Sequence, residues 1–353
     1  MTDNIIVDTA TRIFADLCEP QTVNAAEEGS WPEELWNALE ESGLTLTWVP
    51  DNLGGAGAEM IDGFAVLRVA GRFAAPVPLA ETLMAGWLLA QAGISAPHGP
   101  MTIAPVHEDG NITLDANGKL RGRARHIPFA RTAKHIAVLA KKDGAPVVAL
   151  VAAEGLAIRE GTSLAGEPQD TVTFDGASAI SSGAAPAGLD PVALARLGAA
   201  MRTQQMAGAL EHILDQSVQW SLDRVQFGRP IAKFQAVQHN LATLAGEVAA
   251  AGAAADTAAE AIAEDGAASE RALRDVAVAK VRVGEAAGNG AAIAHQVHGA
   301  MGFTYEHSLH HSTRRLWAWR EEFGNETLWA ERLGRLITQQ GADELWPFIT
   351  QGT

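Results

Sequence analysis

Three long stretches without internal proline, all in the C-terminal half of the chain, constrain the fold more than any other feature. They run from Pro191 to Leu222, from about Phe234 to Glu264 and from about Ser269 to His298. Because proline breaks helix interiors, its absence over such lengths favours long helices. A glycine-rich turn over residues 299–303 leads to a last helical region that ends near Gln340. The pattern predicts a C-terminal helical bundle.

The rest of the chain divides into two regions of different character. Residues 1 to about 95 carry helix-spaced apolar side chains, whereas short apolar runs at 101–106, 136–140 and 147–151 have the length of strands. Turn dipeptides separate these runs at Asp109-Gly110, Asn117-Gly118, Asp143-Gly144 and Asp175-Gly176. Residues 181–190 have the composition of a linker. We therefore predict an α+β, mostly α, fold with domains at 1–97, 98–182 and 188–350.

Composition excludes several classes of function. The 353 residues carry 26 Lys+Arg against 42 Asp+Glu, a formal net charge of −16. Such an acidic chain disfavours broad binding to nucleic acid or to anionic membranes. The single cysteine, Cys18, cannot form an internal disulfide; we predict a buried structural thiol and a cytoplasmic protein. The start, MTDNIIVDTA, does not resemble a signal peptide, and no apolar stretch has the length of a membrane span.

Metal and nucleophile signatures are absent from the sequence. Five of the eleven histidines lie close together, at His295, His298, His307, His310 and His311. They form neither an H-E-x-x-H motif nor an E-x-x-H pair, so we predict no metal site and expect solvated or capping histidines. There is no G-x-S-x-G elbow for a serine nucleophile.

Two turns in the C-terminal region carry the strongest chemical signals. The first, Arg224 to Ile231, places cations, an amide and an aromatic ring around a sharp break between helices. Its arginine could bind a phosphate, or the turn could be a helix cap with Gly228 and an apolar plug at Phe227. The second, Gln296 to Phe303, contains glycines that permit either close approach of a ligand or a tight interhelical turn.

In this order and spacing, and together with the Val-Pro-x-x-x-Gly-Gly-x-Gly of residues 49–57, these signals resemble the acyl-CoA dehydrogenase family over essentially the whole chain. The resemblance implies an N-terminal helical domain, a small middle β domain and a C-terminal four-helix bundle. It also implies FAD, oxidation of an acyl-CoA thioester at Cα–Cβ with a glutamate as base, and an electron-transferring flavoprotein as electron acceptor.

The resemblance assigns one set of residues to the ADP half of FAD, which in this family is bound mainly by a neighbouring subunit. Arg224 would offset the pyrophosphate charge, and Gln235 and Gln296 would offer amide hydrogen bonds. The matching positions are Arg224, Gln226, Phe227, Ile231, Phe234, Gln235 and Gln296.

Three other family motifs are replaced. The two segments that line the flavin ring in the family read Thr102 to His107 and Arg125 to Phe129 here, and neither matches. The position of the glutamate base holds Phe323, beside Glu321 and Glu322. Some family members instead place the glutamate base on the first helix of the C-terminal domain. That position falls near Gly198 here, next to Ala199 and Ala200.

These departures predict the non-catalytic-type subunit of a heterotetrameric (α2β2) acyl-CoA dehydrogenase, of the kind that acts on lipid or steroid side chains. A second subunit of the same family would supply the base and the flavin-ring contacts. One alternative is a self-sufficient homo-oligomer with Glu322 or Glu321 as base. Another is a structural relative without flavin. The aromatic side chains of Trp317, Trp319 and Phe323 would line an acyl pocket or pack in the core.

Overall fold

Helices come first along the chain, then strands, then helices again. A computed structural model describes residues 4–350, apart from the side chain of residue 349. Residues 1–3 of the predicted N-terminal domain lie outside the described residues. The chain divides into two compact units, with the boundary along the chain between Gly198 and Ala199. This division leaves the boundaries of the three predicted domains as a prediction.

The first unit begins with five helices. They are α1 (Ile5–Leu17), α2 (Pro20–Glu27), α3 (Glu33–Glu41), α4 (Met60–Arg72) and α5 (Leu79–Gln91). In the loop before α4, Gly55 packs so closely on the backbone of Val49 that a Cβ atom would overlap the Val49 carbonyl oxygen. Gly55 therefore serves packing. Cys18 is buried and its Sγ lies 3.4 Å from the carbonyl oxygen of Phe73, which confirms the predicted structural thiol.

An eight-stranded sheet follows. Its strands are β1 (Met101–Ala104), β2 (Thr113–Leu114), β3 (Lys119–Pro128), β4 (His135–Lys142), β5 (Ala145–Ala152), β6 (Ala157–Arg159), β7 (Gln169–Ser178) and β8 (Ser181–Ala184). The order is β6-β7-β3-β2-β4-β5-β8, with β1 also beside β4. All pairs are antiparallel except β1–β4 and β2–β4, which are parallel. The predicted small antiparallel β domain is therefore largely correct.

Two details of the predicted β region are wrong. Asp175-Gly176 does not turn the chain but lies inside β7, where the register against β3 shifts, so the glycine serves a bulge. Ser181–Ala184 pairs with β5, so the predicted linker begins inside the sheet. By contrast, Asp143 and Gly144 have φ of 51° and 83° and form the tight hairpin between β4 and β5.

Helices, several of them long, form the second unit and the chain segment that leads into it. These are α6 (Pro191–Asp223), which crosses the boundary between the units, α7 (Gln235–Asp265), α8 (Glu270–His298), α9 (Leu309–Trp319), α10 (Glu326–Gln340) and α11 (Leu345–Thr350). The strands β9 (Val225–Gln226) and β10 (Arg229–Pro230) form a hairpin between α6 and α7. Buried side chains from α6, α7, α8 and α9 share one core, as the predicted four-helix bundle requires.

Close helix packing explains the small residues of the bundle. A Cβ atom on Gly290 of α8 would lie 2.9 Å from Leu210 and 3.2 Å from Leu244, so a larger residue there would push α8 away from α6 and α7. Alanines on α7 and α8 are buried in the same way. None of the helices within residues 4–350 combines the length and hydropathy needed to span a bilayer.

We expect the substitution Leu244→Ala to lower the free energy of unfolding by about 2–4 kcal/mol, because it removes buried methyl groups and leaves a cavity between three helices. The matched control Leu222→Ala, at a side chain that is 51% exposed, should change it by less than about 0.5 kcal/mol. Urea denaturation followed by circular dichroism measures both. Equal losses would contradict the assignment of Leu244 to the bundle core.

Candidate functional site

The first predicted turn is a β-hairpin with an exposed tip. Phe227 and Gly228 both occupy the left-handed region, with φ of 53° and 79°, as a two-residue hairpin turn requires. The side chain of Phe227 is 92% exposed. Phe227 is therefore not an apolar plug, and Gly228 belongs to a hairpin rather than to a helix cap. The helix-cap interpretation of this turn is therefore wrong, and a β-hairpin takes its place.

Two arginines flank the hairpin. The guanidinium of Arg224 lies 6.0 Å from the ring centre of Trp220, and that of Arg229 lies 4.2 Å from the ring centre of Phe234. Both residues are exposed, and within residues 4–350 neither forms an ion pair with a carboxylate. In a chain with a net charge of −16, these two unneutralised cations favour an anionic ligand.

The second predicted turn lies at the same end of the bundle. Helices α7 and α8 run antiparallel: Arg282 and Asn289 both contact Glu247, and Gly290 packs on Leu244. The C-terminal end of α8 therefore returns to the hairpin that precedes α7.

Trp220 provides a direct link between the two turns. Its ring stacks on His298 at 5.3 Å and lies under Arg224. The structure thus brings all seven residues of the predicted ADP site to one end of the second unit, and most of them are exposed there. Their role in binding stays a prediction.

The glycines of the second turn have a structural cause. Gly299 ends α8 with a φ of 63°, and a Cβ atom on Gly302 would lie 3.0 Å from both His298 and Leu309. Glycine at both places lets the chain make this short turn between α8 and α9 without backbone strain at residue 299 or crowding at residue 302. The tight interhelical turn is therefore sufficient to explain both glycines. In this segment the prediction of ligand binding rests on Gln296.

Glu322, a candidate base, is held in a nearly buried ion pair. Nε and Nη2 of Arg202, on α6, both lie 2.7 Å from its Oε2, and the two side chains are 4% and 10% exposed. The guanidinium also lies 5.8 Å from the ring centre of Trp319 and 6.0 Å from that of Phe323. A carboxylate with these contacts is positioned to bind Arg202 rather than to take a proton from a ligand.

The neighbouring positions are also fixed by contacts within the chain. Phe323 and Gly324 lie in the left-handed region, with φ of 54° and 95°, and the Phe323 carbonyl accepts a hydrogen bond from Trp329 Nε1 at 3.0 Å. A Cβ atom on Gly324 would lie 2.8 Å from that same Nε1. Glu321 is exposed and accepts a hydrogen bond from Asn325 at 3.1 Å. Moving either glutamate into the place of Phe323 would break this arrangement.

The second position used in the family is equally without a base. Gly198, Ala199 and Ala200 are buried on α6 and have no ionisable side chain. Arg202, one turn further along, was missed by the sequence analysis. Its only sign in the sequence is a lone cation between two apolar segments of the same helix, 197–201 and 206–210.

Lys280 of α8 fixes the backbone of the same segment. Its fully buried ammonium donates hydrogen bonds to the carbonyl oxygens of Arg320 and Glu322 at 3.0 and 2.9 Å, just beyond the end of α9. Burial lowers the pKa of Lys280 to about 7, against the raising effect of the Glu322 and Glu326 carboxylates. The sequence predicted no role for this residue, although Lys280 follows four apolar residues, 276–279, on the same helix.

The two segments expected at the flavin ring meet in the first unit. Thr102 Oγ1 donates a hydrogen bond to the Pro128 carbonyl at 2.7 Å, and His107 Nε2 lies 2.9 Å from His126 Nδ1. Burial and the charge of His126 lower the pKa of His107. The segments are therefore adjacent, as the resemblance implies, but they present an exposed pair of imidazoles.

The histidines of the second unit are mostly buried, so the expectation of solvated side chains is wrong for His295, His298, His310 and His311. Burial lowers the pKa of His298 to about 4 and that of His311 to about 3. The capping expectation is confirmed for His307, whose Nδ1 accepts a hydrogen bond from the Leu309 amide at 3.1 Å. Among the described residues, no group of three or more potential ligands is arranged to hold a metal ion.

The late aromatic side chains do not line one common pocket. Trp319 is 2% exposed and belongs to the bundle core, whereas Phe323 faces Arg202. Trp317 is half-buried and stacks on His295 at 5.8 Å. Of the two predicted roles, acyl pocket or core packing, Trp319 has the second.

Comparison with known proteins gives consistent matches. The family model described as acyl-CoA dehydrogenase, N-terminal domain, matches residues 2–96, and the one described as acyl-CoA dehydrogenase, C-terminal domain, matches residues 192–335. The Mycobacterium tuberculosis protein acyl-CoA dehydrogenase FadE27 is 30% identical over 371 residues, covering 96% of each chain.

Two solved structures resemble the whole chain. A chain of the ChsE4–ChsE5 complex from Mycobacterium tuberculosis superposes with a TM-score of 0.83 at 26% identity, covering 94% of this chain and 96% of the other. A variant of the Tcur3481–Tcur3483 steroid ACAD gives a TM-score of 0.82 at 26% identity, with coverage of 95% and 97%.

Lys280 should make stability depend on pH. Its pKa in the folded chain, about 7, lies below the usual 10.5, so above pH 7 the unfolded chain binds the proton more strongly. The free energy of unfolding should therefore rise between about pH 7 and pH 10, by roughly 4 kcal/mol from this group. The variant Lys280→Met should lack this rise, and Lys141→Met, at an exposed lysine, should keep it. Urea denaturation across this range tests it; identical slopes in all three proteins would refute it.

Proposed function

The chain belongs to the acyl-CoA dehydrogenase family, and from this premise we propose that it is the non-catalytic-type subunit of a heteromeric, FAD-dependent acyl-CoA dehydrogenase. In this proposal it donates the ADP-binding half of a FAD site to a catalytic partner subunit of the same family. The partner contributes the base and the contacts to the flavin ring. An α2β2 assembly is the simplest one that contains two such shared sites.

One observation carries the proposal: the base position holds Phe323, and the adjacent Glu322 is bound to Arg202. Removing the α proton of a thioester requires a positioned base, which contributes about 10²–10⁴-fold to the rate. In this chain the backbone around that position is fixed by hydrogen bonds from Lys280 and Trp329. These contacts support a subunit in which the position of the base has a structural role instead of a catalytic one.

The hairpin end of the bundle fits the ADP half of FAD. Arg224 and Arg229 are exposed cations without carboxylate partners among the described residues, and Gln235 and Gln296 are exposed amides at the same end. Arg224 would offset pyrophosphate charge, and the two glutamines would hold neighbouring oxygens. When bound, FAD supplies the hydride acceptor for oxidation at Cα–Cβ.

The flavin-ring segments do not fit equally well. His107 and His126 occupy the meeting point of these segments and bind each other. We assign the ring contacts to the partner subunit for this reason. The names of two relatives support a heteromer: one is the ChsE4–ChsE5 complex, and the other pairs Tcur3481 with Tcur3483.

Substrate and setting follow from the relatives and the composition. The steroid ACAD among the similar structures favours a bulky, polycyclic acyl-CoA as substrate. An electron-transferring flavoprotein is the proposed electron acceptor, as in the family. The single, buried cysteine is compatible with a cytoplasmic location, which is part of the proposal.

Two alternatives stay testable. In the first, the chain self-associates into a homo-oligomer that uses Glu322 or Glu321 as base. In the second, it is a structural relative that does not bind flavin. The experiments below separate both from the half-site subunit.

We expect Arg224→Ala to weaken FAD binding by the co-expressed complex about 10- to 100-fold, because a hydrogen bond to a charged group is lost. The FAD affinity of Arg224→Lys should lie between those of the unchanged complex and Arg224→Ala, since lysine keeps the charge but not the planar guanidinium. The control Arg335→Ala, at an exposed arginine of α10, should leave affinity unchanged. Titration of the apo complex with FAD measures it. An Arg224→Ala complex with unaltered flavin affinity would favour the structural relative.

We expect Glu321→Gln and Glu322→Gln to leave kcat of the complex within about twofold per folded molecule, because a base outside this chain performs proton abstraction. Reduction of an artificial electron acceptor measures kcat. Glu322→Gln removes the negative charge that faces Arg202 and lowers stability, so the folded fraction must be determined in parallel. A loss of 10²-fold or more in kcat would support the homo-oligomer with its own glutamate base.

A further inference from the structure

A cavity of about 250 Å³ lies beside the second turn, between the end of α8 and the first turns of α9. Its lining includes His295, Phe303, Tyr305, His310, Thr313 and Trp317. Phe303 ends the second turn, but none of these six is among the seven residues of the predicted ADP site or in the base region. The cavity therefore requires an explanation of its own.

Aromatic rings form most of its wall. The ring of His295 stacks on Phe303 at 4.3 Å and 21°, and on Trp317 at 5.8 Å and 15°. Tyr305 meets His310 edge-on at 5.3 Å. Phe303 and Tyr305 are 70% and 81% exposed, so the rings stand at an open mouth. Such walls favour a flat, apolar ring as ligand.

Among the residues that line the cavity, two buried ring nitrogens lack hydrogen-bond partners within the described residues: Nδ1 of His295 and Nε2 of His310. The histidines are 7% and 9% exposed. His310 Nδ1 lies 2.8 Å from the His307 carbonyl oxygen, which can only accept, so Nδ1 is the donor. In the neutral ring Nε2 is then an acceptor, and a ligand with an O–H or N–H group would satisfy it.

Size narrows the ligand further. A cavity of about 150 Å³ already holds benzene, whereas pockets for drug-sized molecules begin at about 300 Å³. The present volume suits one substituted ring or a fused pair. We infer that this cavity binds a small planar aromatic molecule that carries a hydroxyl or N–H donor, such as a phenol or an indole. This inference does not depend on the proposed function.

Three probes of similar size test it on the full-length chain: phenol, toluene, which lacks the donor, and cyclohexanol, which lacks the aromatic ring. Binding is followed at pH 8 by isothermal titration calorimetry and ligand-observed NMR. Phenol should bind at least fivefold more tightly than either analogue, since the analogues leave Nε2 unpaired or lose ring contacts. Equal binding of the three, or water as the only occupant, would overturn the inference.

Variants locate the binding. His310→Phe should weaken phenol at least fivefold without weakening toluene, and Tyr305→Ala, at an exposed wall residue, should weaken both about threefold. The control His239→Phe, exposed on α7, should change neither. Thermal melting checks that each variant folds. Unchanged phenol binding in both His310→Phe and Tyr305→Ala would refute the site.

A protein side chain is the competing occupant. If phenol binds the free chain but is excluded once a partner subunit is bound, the cavity is a socket for that partner, and the small-ligand inference is wrong. Phenol binding that persists in the complex supports the inference. Since the titrations need no FAD, their failure leaves the proposed function untouched, and the reverse also holds.

Discussion

The ion pair between Arg202 and Glu322 is the interaction on which the second unit's chemistry depends. It joins α6 to the segment after α9, and Lys280 of α8 binds the backbone of that segment. Burying these charges is costly, and the cost is offset only where every hydrogen bond is well made. The left-handed Phe323 and Gly324, and the hydrogen bond from Trp329 to the Phe323 carbonyl, further fix the backbone of this segment. A residue that must move or take up protons is poorly placed there.

The opposite end of the bundle has a different electrostatic character. Arg224 and Arg229 stand exposed beside a hairpin, and exposed glutamines accompany them. The charges of Arg202 and Glu322 at the base position neutralise each other, whereas Arg224 and Arg229 at the hairpin are left for an external anion. This contrast is the physical basis on which we propose a subunit that lends half a cofactor site. The proposed binding of a pyrophosphate to a strongly acidic chain would depend on this local pair of cations.

The sequence predicted the architecture better than the contacts. Long helices without proline, and the Asp143-Gly144 hairpin, follow from local backbone preferences and were predicted closely. Asp175-Gly176 was misread because a bulge and a turn use the same glycine conformation, and only strand pairing separates them. The Arg202–Glu322 pair spans 120 positions in the chain, so no local pattern indicates it. The burial of the histidines was missed for the same reason, since it depends on how α8 and α9 pack.

The central claim is that this chain supplies half of a flavin site. The most direct measurement is the molar ratio of flavin to protein, from absorbance near 450 nm, for the chain purified alone and with a catalytic-type partner. We predict almost no flavin on the chain alone and about one FAD per pair of unlike subunits in the complex. One FAD per chain, together with dehydrogenase activity, in the chain purified alone would contradict it.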